Sequence, residues 1–334
     1  MIRVSGRNKI LLLLLSTMGT LVCGEFLLRG ASQHLLLLFD VEMWRYAREI
    51  KRESALPGVI EDQRPNAEAE LMGVRIRTDS TGFRRPDPNT ESLRKPSNRI
   101  VIALGDSLTL GWGVAEGQTY ADRLEKALNE HVGRSDPRPV VVLNAGIGNS
   151  NTAMELARYE HVIRPLHPDW LILGFFINDA EPDPRPVQSV FVRNSALVSM
   201  ISVRLRSHSV TPYRNYEDYY RALYENEKPG WVRLQWALSK LGQDLKEDHV
   251  RATILLLPEM HEPKDFGPFR DIYQRVSTLA SSEGFEVIDA SKEFPAGPGR
   301  RFWVAADDAH PNAEAQQIFA TALTRSKYVS NGDF

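Results

Sequence analysis

Two short motifs, far apart in the chain, contain the side chains of a serine nucleophile and its base. Ser107 follows directly after the apolar run 100–104, and His310 ends the segment Asp307-Asp308-Ala309-His310 near the C-terminus. A serine hydroxyl becomes an effective nucleophile when an imidazole takes its proton and a carboxylate orients that imidazole. These residues therefore predict an enzyme that cleaves esters or transfers acyl groups.

The composition is that of a globular protein with room for one large domain and an appendage. Of the 334 residues, 42% are hydrophobic and 25% are charged. The net charge of −2 gives no electrostatic attraction to nucleic acid, so no nucleic-acid partner is expected. A single cysteine, Cys23, excludes an intrachain disulfide and leaves the redox compartment open.

The N-terminal segment has the length and composition of a membrane anchor. Residues 10–28 are apolar apart from small polar residues and Glu25, and the preceding basic residues are Arg3, Arg7 and Lys9. A helix of this length spans roughly 28 Å, close to the thickness of a bilayer core. The basic leading side predicts that the N-terminus stays in the cytoplasm and that the rest is exported.

Other interpretations of this segment are a cleaved signal peptide, a lipoprotein signal and a buried soluble helix. No clean small-residue cleavage site follows the apolar core, and Val22 stands where a lipoprotein signal has a small residue. We therefore expect an uncleaved signal anchor over residues 1–30. The protein would be a single-pass inner-membrane protein with its catalytic domain on the periplasmic side.

Residues 31–98 predict a stem between the anchor and the catalytic part. An amphipathic pattern from 35 to 52 indicates a helix on the membrane surface or against the catalytic domain. The polar, proline-bearing stretch 56–70 is typical of a linker. The alternation of apolar and polar residues over 74–78 is typical of an edge strand.

From residue 99 to 330 apolar strands alternate with helical segments, ending in a helix expected to start at Pro311. This alternation predicts an α/β fold, a parallel sheet covered by helices on both faces. The expected strands are Ile100–Leu104, Val140–Leu143, Trp170–Phe175, Thr253–Leu257 and Glu286–Ile288. Parallel sheets place their chemistry beyond the carboxyl ends of the strands. Ser107, Asn149 and Asn178 each follow a strand and are expected at that edge.

The segment 181–250 is predicted to be an insertion between the third and fourth strands. It begins rich in proline and continues rich in tyrosine, tryptophan and arginine. Insertions at this edge often form lids or binding walls, although aromatic side chains that pack onto the core explain the composition as well.

Four blocks of the sequence resemble the SGNH, or GDSL-type, serine hydrolase family. They are Gly105-Asp106-Ser107-Leu108, the block 144–149, the block 174–179, and Asp307-Asp308-Ala309-His310-Pro311. Each block is weakly specific by itself, but the order and positions of all four match. The resemblance covers about residues 99–325 and implies a flavodoxin-like three-layer α/β/α sandwich with a five-stranded parallel sheet.

The resemblance also implies a role for each site residue. Ser107 would be the nucleophile and His310 the base, with Asp307 as the acid by the family spacing and Asp308 as its rival. The oxyanion would be held by the Ser107 N–H, by the N–H of Gly148 or Asn149, and by the Asn178 side chain. The family usually has glycine where Asn149 stands, which leaves open the choice between the two N–H groups. No metal or other cofactor is required.

The sequence thus predicts a serine esterase that removes acyl groups, with acetyl favoured, from a cell-envelope or extracellular glycan. Its partners would be the acylated glycan or another ester substrate, the membrane, and possible envelope polysaccharide machinery. The same residues would serve a polysaccharide O-acetyltransferase, a lipase or a thioesterase. A non-catalytic glycan-binding scaffold is the alternative outside enzymes. A decayed site would have no reason to keep the full set, which is Ser107, Asn178, Asp307 and His310.

Overall fold

The computed structural model describes residues 6–34, 38–85, 97–131, 136–184, 189–210 and 215–334. Two compact units make up the chain. The first contains residues 1–48 and 187–212, and the second contains residues 49–186 and 213–334.

The five predicted strands are present in the expected order, together with elements that the alternating pattern does not predict. The helices are α1 Gly6–His34, α2 Phe39–Glu49, α3 Ser107–Leu110, α4 Tyr120–Glu130, α5 Thr152–Arg158, α6 Val190–Asn194, α7 Ala196–Val210, α8 Tyr216–Leu223, α9 Pro229–Glu247, α10 Arg270–Ser282, α11 Ala313–Leu323 and α12 Lys327–Ser330. The strands are β1 Lys51–Glu53, β2 Glu61–Gln63, β3 Glu68–Leu71, β4 Val74–Arg77, β5 Arg99–Gly105, β6 Val140–Gly146, β7 Trp170–Phe175, β8 Arg251–Leu256, β9 Glu286–Asp289, β10 Trp303–Ala305 and β11 Asp308–Pro311.

A five-stranded parallel sheet in the order β6-β5-β7-β8-β9 forms the centre of the second unit. The central residues of its strands are mostly apolar because both faces of the sheet are covered. Alternate residues of β5 enter opposite cores: Ile102 and Leu104 pack with α5, α9 and α10, whereas Val101 and Ala103 pack with α4 and α11. The predicted three-layer α/β/α fold and its five strands are confirmed.

The strand order also locates the site. In chain order the strands lie 2-1-3-4-5, the flavodoxin-like arrangement, so the connections leave β5 in opposite directions on its two sides. A crevice forms at such a switch point, beyond the carboxyl ends of the strands. The segment with Ser107 follows β5, and the segment with Asn178 follows the neighbouring strand β7.

Several element boundaries differ from the sequence-based expectation. The last long helix starts at Ala313 and not at Pro311, because Pro311 pairs in β11 and Asn312 caps the helix by accepting from the N–H groups of Glu314 and Ala315. The expected linker 56–70 contains β2 and part of β3. The expected edge strand is β4, which pairs with β3 in a separate sheet.

The first unit contains α1, α6, α7 and most of α2. Residues Arg7–Gly30 of α1 have a mean hydropathy of 2.0 in their most apolar window, and none of that window is buried. Among the described residues, this helix alone is long and apolar enough to cross a membrane.

Candidate active site

Three glycines form a row across the carboxyl ends of the central strands. Gly105 of β5 is in register with Gly146 of β6 on one side and with Gly174 of β7 on the other. A Cβ atom at Gly105 would lie 2.2 Å from Oγ1 of Thr109, and one at Gly146 would lie 2.2 Å from the backbone nitrogen of Leu110. Helix α3 therefore packs directly on the sheet at this row, which fixes the position of its first residue, Ser107.

The segment after β4 holds the other end of α3. The buried Arg84 donates from Nη1 to the carbonyl oxygens of Leu110 and Gly111, at 2.8 and 2.6 Å, and from Nη2 to the carbonyl oxygen of Val114 at 2.6 Å. Arg84 therefore fixes the last turn of α3 and the segment that follows it. The sequence-based interpretation missed Arg84, since nothing in the linear pattern relates it to Leu110.

Ser107 is the first residue of α3, directly after the cap residue Asp106. Asp106 is fully buried and its Oδ1 accepts from the N–H of Leu108 at 2.8 Å. This cap sets the turn between β5 and α3. Ser107 retains 8% exposure, so its hydroxyl lies at the inner wall of the crevice.

His310 faces the nucleophile from the hairpin of β10 and β11. Its Nε2 lies 2.9 Å from Oγ of Ser107, and its Nδ1 lies 2.5 Å from Oδ1 of Asp308. An ionised carboxylate can only accept, so Nδ1 carries the proton and Nε2 is the acceptor for the serine hydroxyl. This tautomer is the one in which a histidine acts as a general base.

The carboxylate that meets His310 belongs to Asp308, which corrects the expectation for Asp307. Asp307 is exposed in the turn between β10 and β11. Asp308 and His310 are two residues apart on β11, and side chains with that spacing point to the same side of a strand. The N–H of His310 also donates to Oδ1 of Asp308 at 3.0 Å. The three-residue spacing between Asp307 and His310 favoured the wrong aspartate because this segment is a strand and not a loop.

Trp112 completes the surroundings of Asp308. The buried indole donates from Nε1 to Oδ2 of Asp308 at 3.0 Å, and its ring centroid lies 6.3 Å from that of His310. Burial raises the pKa of Asp308, but the hydrogen bonds from His310 and Trp112 outweigh it, so the pKa lies below its ordinary value. Asp308 is therefore ionised at neutral pH. Trp112 had no signal in the sequence beyond its closeness to Ser107.

Asn178 is brought to the nucleophile by a hydrogen bond that the motifs do not contain. Its Nδ2 donates to Oδ2 of Asp106 at 3.0 Å. The two carboxylate oxygens of Asp106 thus connect the helix of the nucleophile with the 3₁₀ turn Ile177–Ala180 that follows β7. Asp106 has a positioning role, and the Asn178 amide lies at the same strand ends as Ser107.

Gly148 and Asn149 form the turn after β6. The N–H of Ser150 donates to the carbonyl oxygen of Ile147, and Asn149 has φ +63°. Asparagine tolerates this left-handed conformation better than most residues. Gly148 is buried and Asn149 is exposed. The N–H of Ile147 donates to the carbonyl oxygen of Gly105, which ties the turn to the strand of the nucleophile.

A group of buried carboxyls lies behind the site. Glu155 of α5 and Asp179 are buried together with Asp106. Burial raises the pKa of Glu155 and of Asp179 well above their ordinary values, and each also faces the charge of Asp106. Burial raises the pKa of Asp106 as well, so each of the three carboxyls disfavours ionisation of the others, while Arg158 acts in the opposite direction on Glu155. Within the described part of the chain, no cluster of three or more acidic, histidine or cysteine side chains is arranged to hold a metal ion.

Aromatic rings from the insertion and from β10 cluster around His261. The rings of Tyr216 from α8 and Trp303 from β10 lie 5.2 and 4.7 Å from the ring of His261, measured between centroids. Trp303 is the strand partner of Pro311, the residue after His310. Tyr224, directly after α8, donates to the carbonyl oxygen of Ile177 at 2.8 Å, so this part of the insertion contacts the Asn178 segment.

Sequence comparison assigns this region to a family of known chemistry. The model of the GDSL-like lipase/acylhydrolase family matches residues 103–318, which include all the residues of the candidate site. No curated protein matches the sequence at a significant level.

The chain is similar to several solved structures at low sequence identity. TesA is 18% identical, with 67% of this chain and 96% of TesA covered at a TM-score of 0.42. LAE5, an α/β hydrolase from the metagenome of Lake Arreo, is 18% identical, covering 68% and 93% at 0.43. A catalytic mutant of Axe2, an acetylxylan esterase from Geobacillus stearothermophilus, is 21% identical, covering 68% and 93% at 0.42.

Proposed function

The chain belongs to the GDSL-like lipase/acylhydrolase family and is a carboxylic ester hydrolase, and from this premise we propose that it removes O-acyl groups, chiefly O-acetyl, from a cell-envelope or extracellular glycan. The proposal assigns Ser107, His310 and Asp308 as the catalytic triad. The observation that carries it is the 2.9 Å contact between Oγ of Ser107 and Nε2 of His310, with Asp308 on the other ring nitrogen.

The triad performs hydrolysis in two halves. Oγ of Ser107 attacks the acyl carbon while its proton passes to Nε2 of His310, and the collapsing tetrahedral intermediate expels the sugar alcohol, which takes that proton. Water then attacks the acyl-enzyme, losing its proton to His310. The second collapse releases the carboxylic acid and returns the proton to Ser107. Asp308 keeps its negative charge throughout and stabilises the imidazolium.

The oxyanion of each tetrahedral intermediate would lie at the carboxyl ends of β5, β6 and β7. The N–H of Ser107 starts α3 and is one of the donors that a helix leaves without an intrahelical acceptor. The turn of Gly148 and Asn149 and the amide of Asn178 would supply the other donors.

Asn178→Ala should lower kcat about 10²- to 10³-fold on a soluble acetyl ester and leave KM almost unchanged, because an oxyanion donor acts in the transition state. Steady-state kinetics on the purified protein measure both constants. Asn226→Ala, the same substitution in an exposed loop, serves as the matched control. A rise in KM at constant kcat would show that Asn178 binds substrate and does not stabilise the oxyanion.

The glycan as substrate is supported by two features of the chain. Trp303, one of the aromatic rings around His261, pairs in the hairpin that contains His310, and aromatic rings pack well against the C–H faces of sugars. The anchor α1, with basic residues on its short leading side, favours a catalytic domain outside the inner membrane, where envelope glycans are found.

The test compares substrates on one enzyme preparation. We expect acetate release from an O-acetylated polysaccharide with a higher kcat/KM than hydrolysis of long-chain acyl esters or acyl thioesters, and none from Ser107→Ala. The opposite preference would indicate a lipase or thioesterase. If an added sugar acceptor raises the rate and becomes acylated, the protein is an O-acetyltransferase.

A further inference from the structure

The apolar helix α1 contains one acidic residue, Glu25, within its candidate membrane span Arg7–Gly30. A carboxylate in or near hydrocarbon is costly unless it is paired and hydrogen-bonded. The structure supplies its partners. Arg29, one helical turn further along, donates from Nε to Oε1 of Glu25 at 2.6 Å.

The remaining partners of Glu25 come from the insertion. The backbone N–H groups of Ala196 and Leu197 each donate to its carboxylate at 2.9 Å, and the hydroxyl of Ser195 donates at 2.8 Å. These groups form the N-terminus of α7, where a negative charge is stabilised by free N–H groups and by the helix dipole. Glu25 thus caps a helix that is distant in sequence. In return, α7 supplies hydrogen-bond donors to the only carboxylate in the apolar span of α1.

Helices α6 and α7 leave large apolar side chains exposed. In α6, Phe191 is 78% and Val190 is 67% exposed. In α7, Leu205 is 65%, Val203 46% and Ile201 44% exposed. No charged residue occurs from 194 to 203. The first part of α7 is therefore apolar, before Arg204 and Arg206, and exposed apolar side chains of this size need an apolar environment, which water does not provide.

We propose that α6 and α7 are embedded in the lipid interface beside the end of α1 that contains Glu25, so that the protein holds the membrane through its insertion as well as through its anchor. The partner is the bilayer surface at the level of the headgroups and upper acyl chains. The inference rests on the proposed membrane crossing of α1 and does not depend on the catalytic residues.

Continuity of apolar surface favours lipid as the occupant. Phe26 and Leu27, next to Glu25 in α1, are 72% and 71% exposed and would already contact acyl chains if α1 crosses the bilayer. Leu197 at the start of α7 contacts α1 beside Gly24, since a Cβ there would be 3.7 Å from its Cδ2. The 15 residues of α7 would extend about 22 Å, too short to cross a bilayer, which fits a position within the interface.

The experiment measures lipid contact of single fluorophores on the full-length protein in liposomes. In a Cys23→Ser background, Phe191→Cys and Val203→Cys each carry a bimane probe, and the liposomes contain phospholipids spin-labelled near the headgroup or near the acyl-chain end. Leu14→Cys, in the middle of α1, is the positive control. Trp236→Cys, 59% exposed on α9 of the second unit, is the control for nonspecific quenching.

We expect the probes at 191 and 203 to lose about two-fold in fluorescence with the shallow spin label and less with the deep one, as an interfacial position requires. The probe at 14 should show the opposite depth preference. Quenching at 14 without quenching at 191 and 203 would overturn the inference and leave the anchor in place. Absence of quenching at 14 would overturn the anchor itself, and equal quenching at 236 would show that the signal is not specific.

Discussion

Ser107→Ala should reduce kcat on an activated acetyl ester by roughly 10⁴-fold or more, because the acyl-enzyme cannot form without its oxygen nucleophile. The effect should fall on kcat and leave substrate binding nearly intact, since the crevice keeps its shape and loses one oxygen atom. Turnover of a chromogenic acetate measures the loss of hydrolysis. Covalent labelling with a fluorophosphonate measures the loss of the nucleophile.

Ser239→Ala is the matched control, because it removes a partly buried hydroxyl from α9, away from the strand ends that hold the site. It should keep full labelling and turnover. Equal labelling of wild type and Ser107→Ala would mean that another residue is the nucleophile. In that case the 2.9 Å contact between Ser107 and His310 would have no catalytic role.

Asp308→Asn and Asp307→Asn should differ by several orders of magnitude in their effect on kcat. An amide in place of the Asp308 carboxylate no longer fixes the proton on Nδ1 of His310 and no longer stabilises the imidazolium, so we expect a fall of about 10⁴-fold. Asp307 is exposed in the turn, and its amide variant should stay within about two-fold of wild type, as surface substitutions usually do. Steady-state kinetics of the two variants side by side measure this contrast.

Thermal stability gives a second, independent test of the role of the Asp308 carboxylate. The pKa of Asp308 is lowered in the fold, so its ionised form stabilises the protein at pH values above its unfolded pKa of about 3.9. This contribution is lost as the pH falls through the lower folded-state pKa. Thermal unfolding at neutral pH should therefore show a lower Tm for Asp308→Asn than for Asp307→Asn. An inactive Asp307→Asn beside an active Asp308→Asn would return the acid to Asp307 and contradict the hairpin register.

The choice between these two aspartates shows the limit of motif spacing. Both residues precede His310, and the count of residues that the family usually shows favours Asp307. Which of the two meets the imidazole depends on whether the segment is a loop or a strand. Here β11 pairs with β10, with Trp303 opposite Pro311 and Ala305 opposite Asp308 across a register shift, and in this hairpin the Asp308 carboxylate is the one that meets the imidazole.

The membrane-facing part of the chain shows a similar limit. The sequence marks Glu25 as an exception in an apolar helix and marks 181–250 as an insertion, but it does not connect the two. The fold connects them, because the N-terminus of α7 supplies the hydrogen bonds that the carboxylate needs. A pairing over such a distance in the chain is decided by packing alone.

The sequence by itself determined the parallel sheet, its five strands and the position of Ser107, because hydrophobic periodicity and the residue after a strand are local properties. It also placed Ser107 and His310 in one family motif set. Only the tertiary structure decided which carboxylate orients His310. The same is true of the glycines on which α3 packs and of the hydrogen bond between Asp106 and Asn178. Those contacts depend on strand register and on close packing between distant segments. The spacing of residues along the chain determines neither the register nor the packing.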